Sequence, residues 1–113
     1  MLEFIDHIES PTVPTLVLLH GYGSNKEDLF GLQPYFKGIN LVCFQAPIDM
    51  EMGGYAWYPI DWNNGAKIIN SVEVASAKSL VLDAIEEWTS LNQISGQMVI
   101  GGFSQGAILS TAV

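Results

Sequence analysis

Two short, glycine-bracketed stretches hold the groups in this chain that could do chemistry. The later one is Gly102-Phe103-Ser104-Gln105-Gly106, which follows an apolar run, Met98–Gly101, and leads into Ala107-Ile108-Leu109. A serine with glycines two residues away on both sides suits a strand that turns sharply into a helix. At the apex the backbone is strained, the hydroxyl projects off the sheet, and the flanking positions approach so closely that only small residues fit. The helix that follows aims its amides and positive dipole end at the place where a tetrahedral oxyanion would develop. The chemistry is acyl transfer, with Ser104 as nucleophile and the Gln105 amide as an oxyanion donor. In a chain with eleven Gly the pattern alone is weak; the strand before it and the helix after it carry the assignment over an inert serine in a Gly-rich turn.

The earlier stretch is His20-Gly21-Tyr22-Gly23, at the end of the apolar run Thr15–Leu19. A second oxyanion donor comes from a loop after an earlier strand, and the Tyr22 amide is the candidate. Gly21 and Gly23 let the backbone approach a substrate carbonyl. His20 reads as a brace for this loop, by hydrogen bonding, and not as the catalytic base. Asp28, Asp49 and Asp61 read as turn, cap or surface residues.

The elements around these stretches alternate between strand and helix. Residues 2–8 suggest an edge strand, and Pro11 and Pro14 punctuate the turn after it. Thr15–Leu19, residues 39–46 and Gln97–Gly102 are continuous apolar runs of the kind buried on both faces of a sheet. Ser24 or Asn25 caps a helix that begins near Lys26, and Pro34 ends it or marks a second short one. Residues 71 to about 91 give the clearest helix, capped by Asn70 or Ser71, with Val74, Ala77, Val81, Ile85 and Trp88 on one apolar stripe. A further helix starts at once after Ser104. The pattern predicts one α/β domain over residues 1–113, with a mostly parallel sheet flanked by helices in three layers. Between residues 48 and 70 no periodicity is visible, so a long loop is expected there. It clusters Met50, Met52, Tyr55, Trp57, Tyr58 and Trp62, which either form an adaptable apolar wall for an acyl chain or pack over the sheet and helix.

Composition narrows the partners. The net charge is −8 with four Lys+Arg, so neither nucleic acid nor an anionic membrane surface is an expected partner. The lone Cys43 sits in an apolar run and reads as a buried small hydrophobe, with no disulfide framework. The first ten residues lack a basic segment followed by an apolar one, and no apolar run has membrane-spanning length, so the expected location is cytoplasmic with no stable membrane insertion. Charged residues make up 14%, against about a quarter in an ordinary globular domain. Elements so poor in charge are expected to be covered on several sides by something larger.

"LLHGYGSNKEDL", "FQAP", "GGYAWY" and "GGFSQGA", in this order, resemble the phospholipase/carboxylesterase family of α/β hydrolases, which includes the acyl-protein thioesterases. The resemblance runs from about Thr15 to Val113. It implies an α/β-hydrolase fold and a serine esterase or thioesterase acting on small-molecule acyl esters, phospholipid-type esters or acyl thioesters, with no metal or other cofactor. Ser104 would be the nucleophile, Tyr22 and Gln105 the oxyanion amides, and Gly23, Trp57 and Tyr58 the substrate-binding residues, Trp57 matching an aromatic residue near the substrate pocket.

Family members complete the triad with an Asp and a His after the serine in chain order. A serine hydroxyl is barely nucleophilic near neutrality; an imidazole must take its proton, and a carboxylate must orient that imidazole. Residues 105–113 contain no Asp, Glu or His, and the only histidines are His7 and His20. The expectation is a partial α/β-hydrolase fold, truncated after the nucleophile turn, inactive by itself, and open to self-association along its last strand. The alternative is a non-catalytic truncated hydrolase fold that binds apolar ligands or a partner chain.

Overall fold

The computed structural model describes residues 1–51, 53–63, 66–68 and 70–112, with side chains described outside 61–69 and 112. Its main sheet has four strands: β1 (Phe4–His7), β2 (Thr15–Leu19), β3 (Asn40–Phe44) and β8 (Met98–Gly102), in the order β1-β3-β2-β8. β2 pairs in parallel with both β3 and β8, and β1 runs antiparallel on the β3 edge. The apolar runs are therefore the parallel strands, and residues 2–8 give the expected edge strand.

Parallel neighbours need crossovers, and two helices supply them. α1 (Lys26–Phe30) leads from β2 toward β3, capped by Asn25, whose side-chain oxygen accepts from the Glu27 and Asp28 amides at 3.0 and 3.1 Å. Pro34 falls in a separate 3-10 turn, Gln33–Tyr35, where its missing N–H costs nothing. α2 (Ser71–Leu91) leads into β8; Asn70 caps it, accepting from the Val72 amide at 2.8 Å. Its Ala77, Val81, Ala84, Ile85 and Trp88 are buried, as helical spacing demands. Trp88 also donates its indole N–H to Asp6 of β1 at 2.9 Å, which satisfies the one polar atom of a fully buried ring.

The core lies on one face of the sheet. Val17, Leu19, Val42 and Phe44 meet the apolar stripe of α2 and Leu109 of α3 (Gln105–Ala112). At the start of the parallel strands, Asn40 ties the incoming chain: its Oδ1 accepts from the Glu9 and Ser10 amides and its Nδ2 donates to Ser10 O and Thr15 Oγ1. Cys43 is buried, and burial pushes its thiol up to about 12.

Residues 48–70 differ from the expected long loop. They contain two small antiparallel pairs, β4 (Ile48–Asp49) with β5 (Tyr55–Ala56), and β6 (Asp61–Asn63) with β7 (Ala66–Ile68). Strands of two or three residues are too short to show alternation. Gly53 and Gly54, at φ 87° and 88°, make the β4–β5 turn in a region only glycine enters cheaply. Met52 and the side chains of Asp61 and Trp62 lie outside the described residues.

Candidate active site

Ser104 stands between β8 and α3 with φ 57°, a left-handed conformation that a non-glycine residue rarely adopts, and it is exposed. Strain of this kind persists only where the surroundings fix it, and here they do. A Cβ on Gly102 would overlap the Gly106 carbonyl, and a Cβ on Gly106 would overlap the carbonyl oxygen of Leu19. The two glycines therefore let α3 start immediately against the strands.

The His20–Gly23 loop packs on this turn. A Cβ placed on Gly21 would come 3.2 Å from both Ser104 Cβ and Phe103 O, so the two motifs of the sequence are neighbours in space. Two amides of that loop are spent: Gly23 donates to Tyr55 O at 2.9 Å, and Ser24 to Gly21 O at 3.1 Å. Neither the Tyr22 nor the Gln105 amide has a hydrogen-bond partner among the described residues. Gly23 has φ 80°, and Gly54 is pressed so closely against it that a side chain on Gly54 would strike the Gly23 carbonyl. The His20–Gly23 loop is thus held against the β4–β5 turn. Ser24 Oγ donates to Asp28, so that carboxylate serves the turn ahead of α1; Asp49 is an exposed residue of β4.

His20 is buried and both ring nitrogens are occupied. Nε2 accepts the Ala46 amide at 3.0 Å, which makes Nδ1 the protonated nitrogen, and Nδ1 donates to Gly21 O at 2.8 Å. Burial lowers its pKa from the ordinary value, against smaller raising contributions from the Gly21 hydrogen bond, Asp28 and Glu27. A neutral, doubly engaged imidazole is a brace, as the sequence reading had it. His7 is farther away. It is in register with Leu41, hence with Leu16 and Val99, whereas Ser104 follows Gly102 at the opposite ends of the parallel strands. Its Nε2 lies 2.9 Å from Glu9.

What sequence reasoning missed is the side chain of Gln105. It is buried, with Oε1 accepting the Trp57 amide at 2.8 Å and Nε2 donating to Tyr58 O at 2.6 Å. Trp57 in turn donates its indole N–H to His20 O at 2.8 Å, and the Trp57 and His20 rings pack at a tilt of 33° with centroids 5.3 Å apart. One chain of hydrogen bonds therefore joins α3, the aromatic segment and the His20–Gly23 loop. The signal was a long amide side chain beside Ser104, a position read only for its backbone. Trp57 and Tyr58 are buried, and they line an apolar cavity of about 300 Å³ whose described lining does not include Ser104. The Tyr58 hydroxyl is buried without a partner among the described residues.

Among the described residues no helix is long and apolar enough to cross a membrane. The comparisons with known proteins bear on the whole chain. The model of the phospholipase/carboxylesterase family matches residues 2–113. Esterase PE8 superposes with a TM-score of 0.71 at 25% identity, over 97% of this chain and 54% of that one. Acyl-protein thioesterase 2 of Zea mays gives 0.70 at 20% identity, over 97% and 49%. YahD, solved with malic acid, gives 0.80 at 14% identity, over 99% and 56%. The chain thus spans about half the length of these solved structures and has a partial α/β-hydrolase fold. The match over residues 2–113, in keeping with a left-handed serine whose flanking glycines leave no room for a side chain, shows that the chain belongs to the phospholipase/carboxylesterase family.

Proposed function

We propose that these residues are the nucleophile and oxyanion half of a serine hydrolase that cleaves carboxylic esters or thioesters through an acyl-enzyme. The observation that carries this reading is the left-handed Ser104, exposed at the strand end with the His20–Gly23 loop against it. Ser104 Oγ attacks the acyl carbonyl. A general base takes the Ser104 proton as the bond forms, and the Tyr22 and Gln105 amides receive the oxyanion. The alkoxide or thiolate leaves with that proton, and water then cleaves the acyl-enzyme to the acid and restores the Ser104 hydroxyl. Gly23 gives the carbonyl room, and Trp57 and Tyr58 hold the acyl side of the substrate. The likeness to esterase PE8 supports an ester substrate.

Neither histidine of the sequence is placed to serve Ser104, because His20 is engaged at both nitrogens and His7 sits at the other end of the sheet. The base and its carboxylate are therefore supplied from outside these 113 residues. Without them, oxyanion stabilisation and binding leave at most a residual of roughly three to four orders of magnitude over water. Turnover of a short-chain p-nitrophenyl ester by the full-length hydrolase, and by its Ser104→Ala variant, tests the reading. The variant is expected at background; unchanged turnover would remove Ser104 from the mechanism.

A second reading is favoured by the same engaged histidines: a non-catalytic hydrolase fold that binds apolar ligands or a partner chain. Binding of a non-hydrolysable acyl analogue with no turnover by the full-length protein is its expected outcome.

A further inference from the structure

The two oxyanion donors of the proposed reaction stand on separate elements. The Tyr22 amide belongs to the loop after β2, and the Gln105 amide opens α3. Each is aimed by the carbonyl of its own peptide unit, because a planar trans peptide points its C=O and N–H in opposite directions. The Gly21 carbonyl, which shares a plane with the Tyr22 N–H, accepts from His20 Nδ1 at 2.8 Å and from the Ser24 amide at 3.1 Å. The Ser104 carbonyl, which shares a plane with the Gln105 N–H, accepts from the Ile108 amide at 3.1 Å. Orientation is thus set within each element, and the spacing between the elements needs links of its own.

A backbone bond supplies one link, from the Phe103 amide to Leu19 O at 3.1 Å. A second link is made of side chains. The Gln105 carboxamide accepts from the Trp57 amide and donates to Tyr58 O, and the Trp57 indole donates to His20 O. Gln105 is 2% exposed, so these bonds form away from water, where a donor or acceptor left unpaired is costly. A carboxamide carries an acceptor and donors on one plane, and only one of its two orientations satisfies both Trp57 N and Tyr58 O. An apolar side chain of equal length would fill the space and make neither bond. Oxyanion stabilisation needs both donors at about 2.7–3.1 Å from one oxygen, so slippage between the two elements falls on the transition state.

We propose that the Gln105 carboxamide is a positioning group that, through Trp57, fixes the spacing between the Gln105 and Tyr22 amides. The inference rests on the serine-hydrolase reading above. Full-length enzyme and its Gln105→Met variant are compared on p-nitrophenyl acetate, with kcat expressed per Ser104 labelled to completion by a fluorophosphonate probe. Methionine keeps the length of the side chain and loses both bonds. The variant's kcat per labelled serine is expected to fall at least about tenfold, with KM within about threefold, because the oxyanion does not exist in the ground state. A role confined to folding would lower the labelled fraction and leave kcat per labelled serine unchanged. Gln105→Glu carries the test a second way. A protonated carboxyl can accept from Trp57 N and donate to Tyr58 O, a carboxylate cannot donate, and burial favours the neutral form. Its kcat relative to wild type should therefore rise as pH falls, while the Gln105→Met ratio stays level. Gln105→Met within about twofold of wild type per labelled serine, or a Gln105→Glu deficit that does not shrink as pH falls, would overturn the inference alone. Wild type without an adduct on Ser104 would bring down the hydrolase reading, and this inference with it.

Discussion

The two faces of the main sheet carry equally apolar residues and meet different fates. On the face under α2 and α3, Val17, Leu19, Val42 and Phe44 are fully buried. On the other face cover falls away across the strands. Leu41 and Cys43 of β3 are buried, Leu16 and Leu18 of β2 are half-buried, and Val99 of β8 is 56% exposed. The exposed apolar surface continues past the strand end to Phe103, beside Ser104. A sequence written for burial on both faces has one face completed by its own helices. The β8 side, which leads into Ser104, offers an edge unpaired among the described residues and an open face of the kind that other chain segments cover.

The largest effect is expected where α3 seats on the covered face. Gly106→Ala drives a methyl into the Leu19 and His20 carbonyls, and no flexible side chain can yield. A loss above about 4 kcal/mol, read as failure to fold or collapse of the thermal midpoint, is expected. Trp88→Ala empties a fully buried site on the same face and frees Asp6 from its indole partner. Chemical denaturation should show a loss of about 3–5 kcal/mol. On the open face, Leu18→Ala should cost only about 1 kcal/mol by the same measurement. A Leu18 cost equal to that of Trp88 would erase the contrast between the faces.

The brace at the strand ends makes a pH-dependent prediction. The folded pKa of His20 is depressed by burial, below an ordinary value of 6.5. The unfolded chain then takes up the proton first, so the stability His20 contributes is complete above about 6.5 and is lost as pH falls through that value toward the folded pKa. The stability gap between wild type and His20→Gln should narrow over that window, since carboxylates titrating below it are common to both. A gap constant with pH would mean that His20 is not held neutral. The smallest effect belongs to the edge. Val99→Lys should change stability by no more than about 0.5 kcal/mol while lowering concentration-dependent self-association in sedimentation.

The strands, α2 and the serine turn were legible because their signals are local. Runs such as Thr15–Leu19, a stripe at helical spacing and glycines two residues from a serine each state their geometry within a few positions. The adjacency of the His20–Gly23 loop and Ser104 followed from motif order. The β4–β5 and β6–β7 pairs were not legible, because strands of two or three residues carry no period, and the Gly53-Gly54 turn between β4 and β5 was read as part of a loop. The Gln105–Trp57–His20 linkage was hidden for another reason. It joins residues 37 and 48 positions apart through single hydrogen bonds, and only the assembled fold brings them together. The open β8 side was foreshadowed by the low charge content and by the expectation of an uncovered last strand.

The most direct measurement of the central claim is peptide mapping of the full-length protein after reaction with a fluorophosphonate probe. The adduct is expected on Ser104 and absent from the Ser104→Ala variant. An adduct on another serine, or equal labelling of both proteins, would contradict the assignment of Ser104 as the nucleophile.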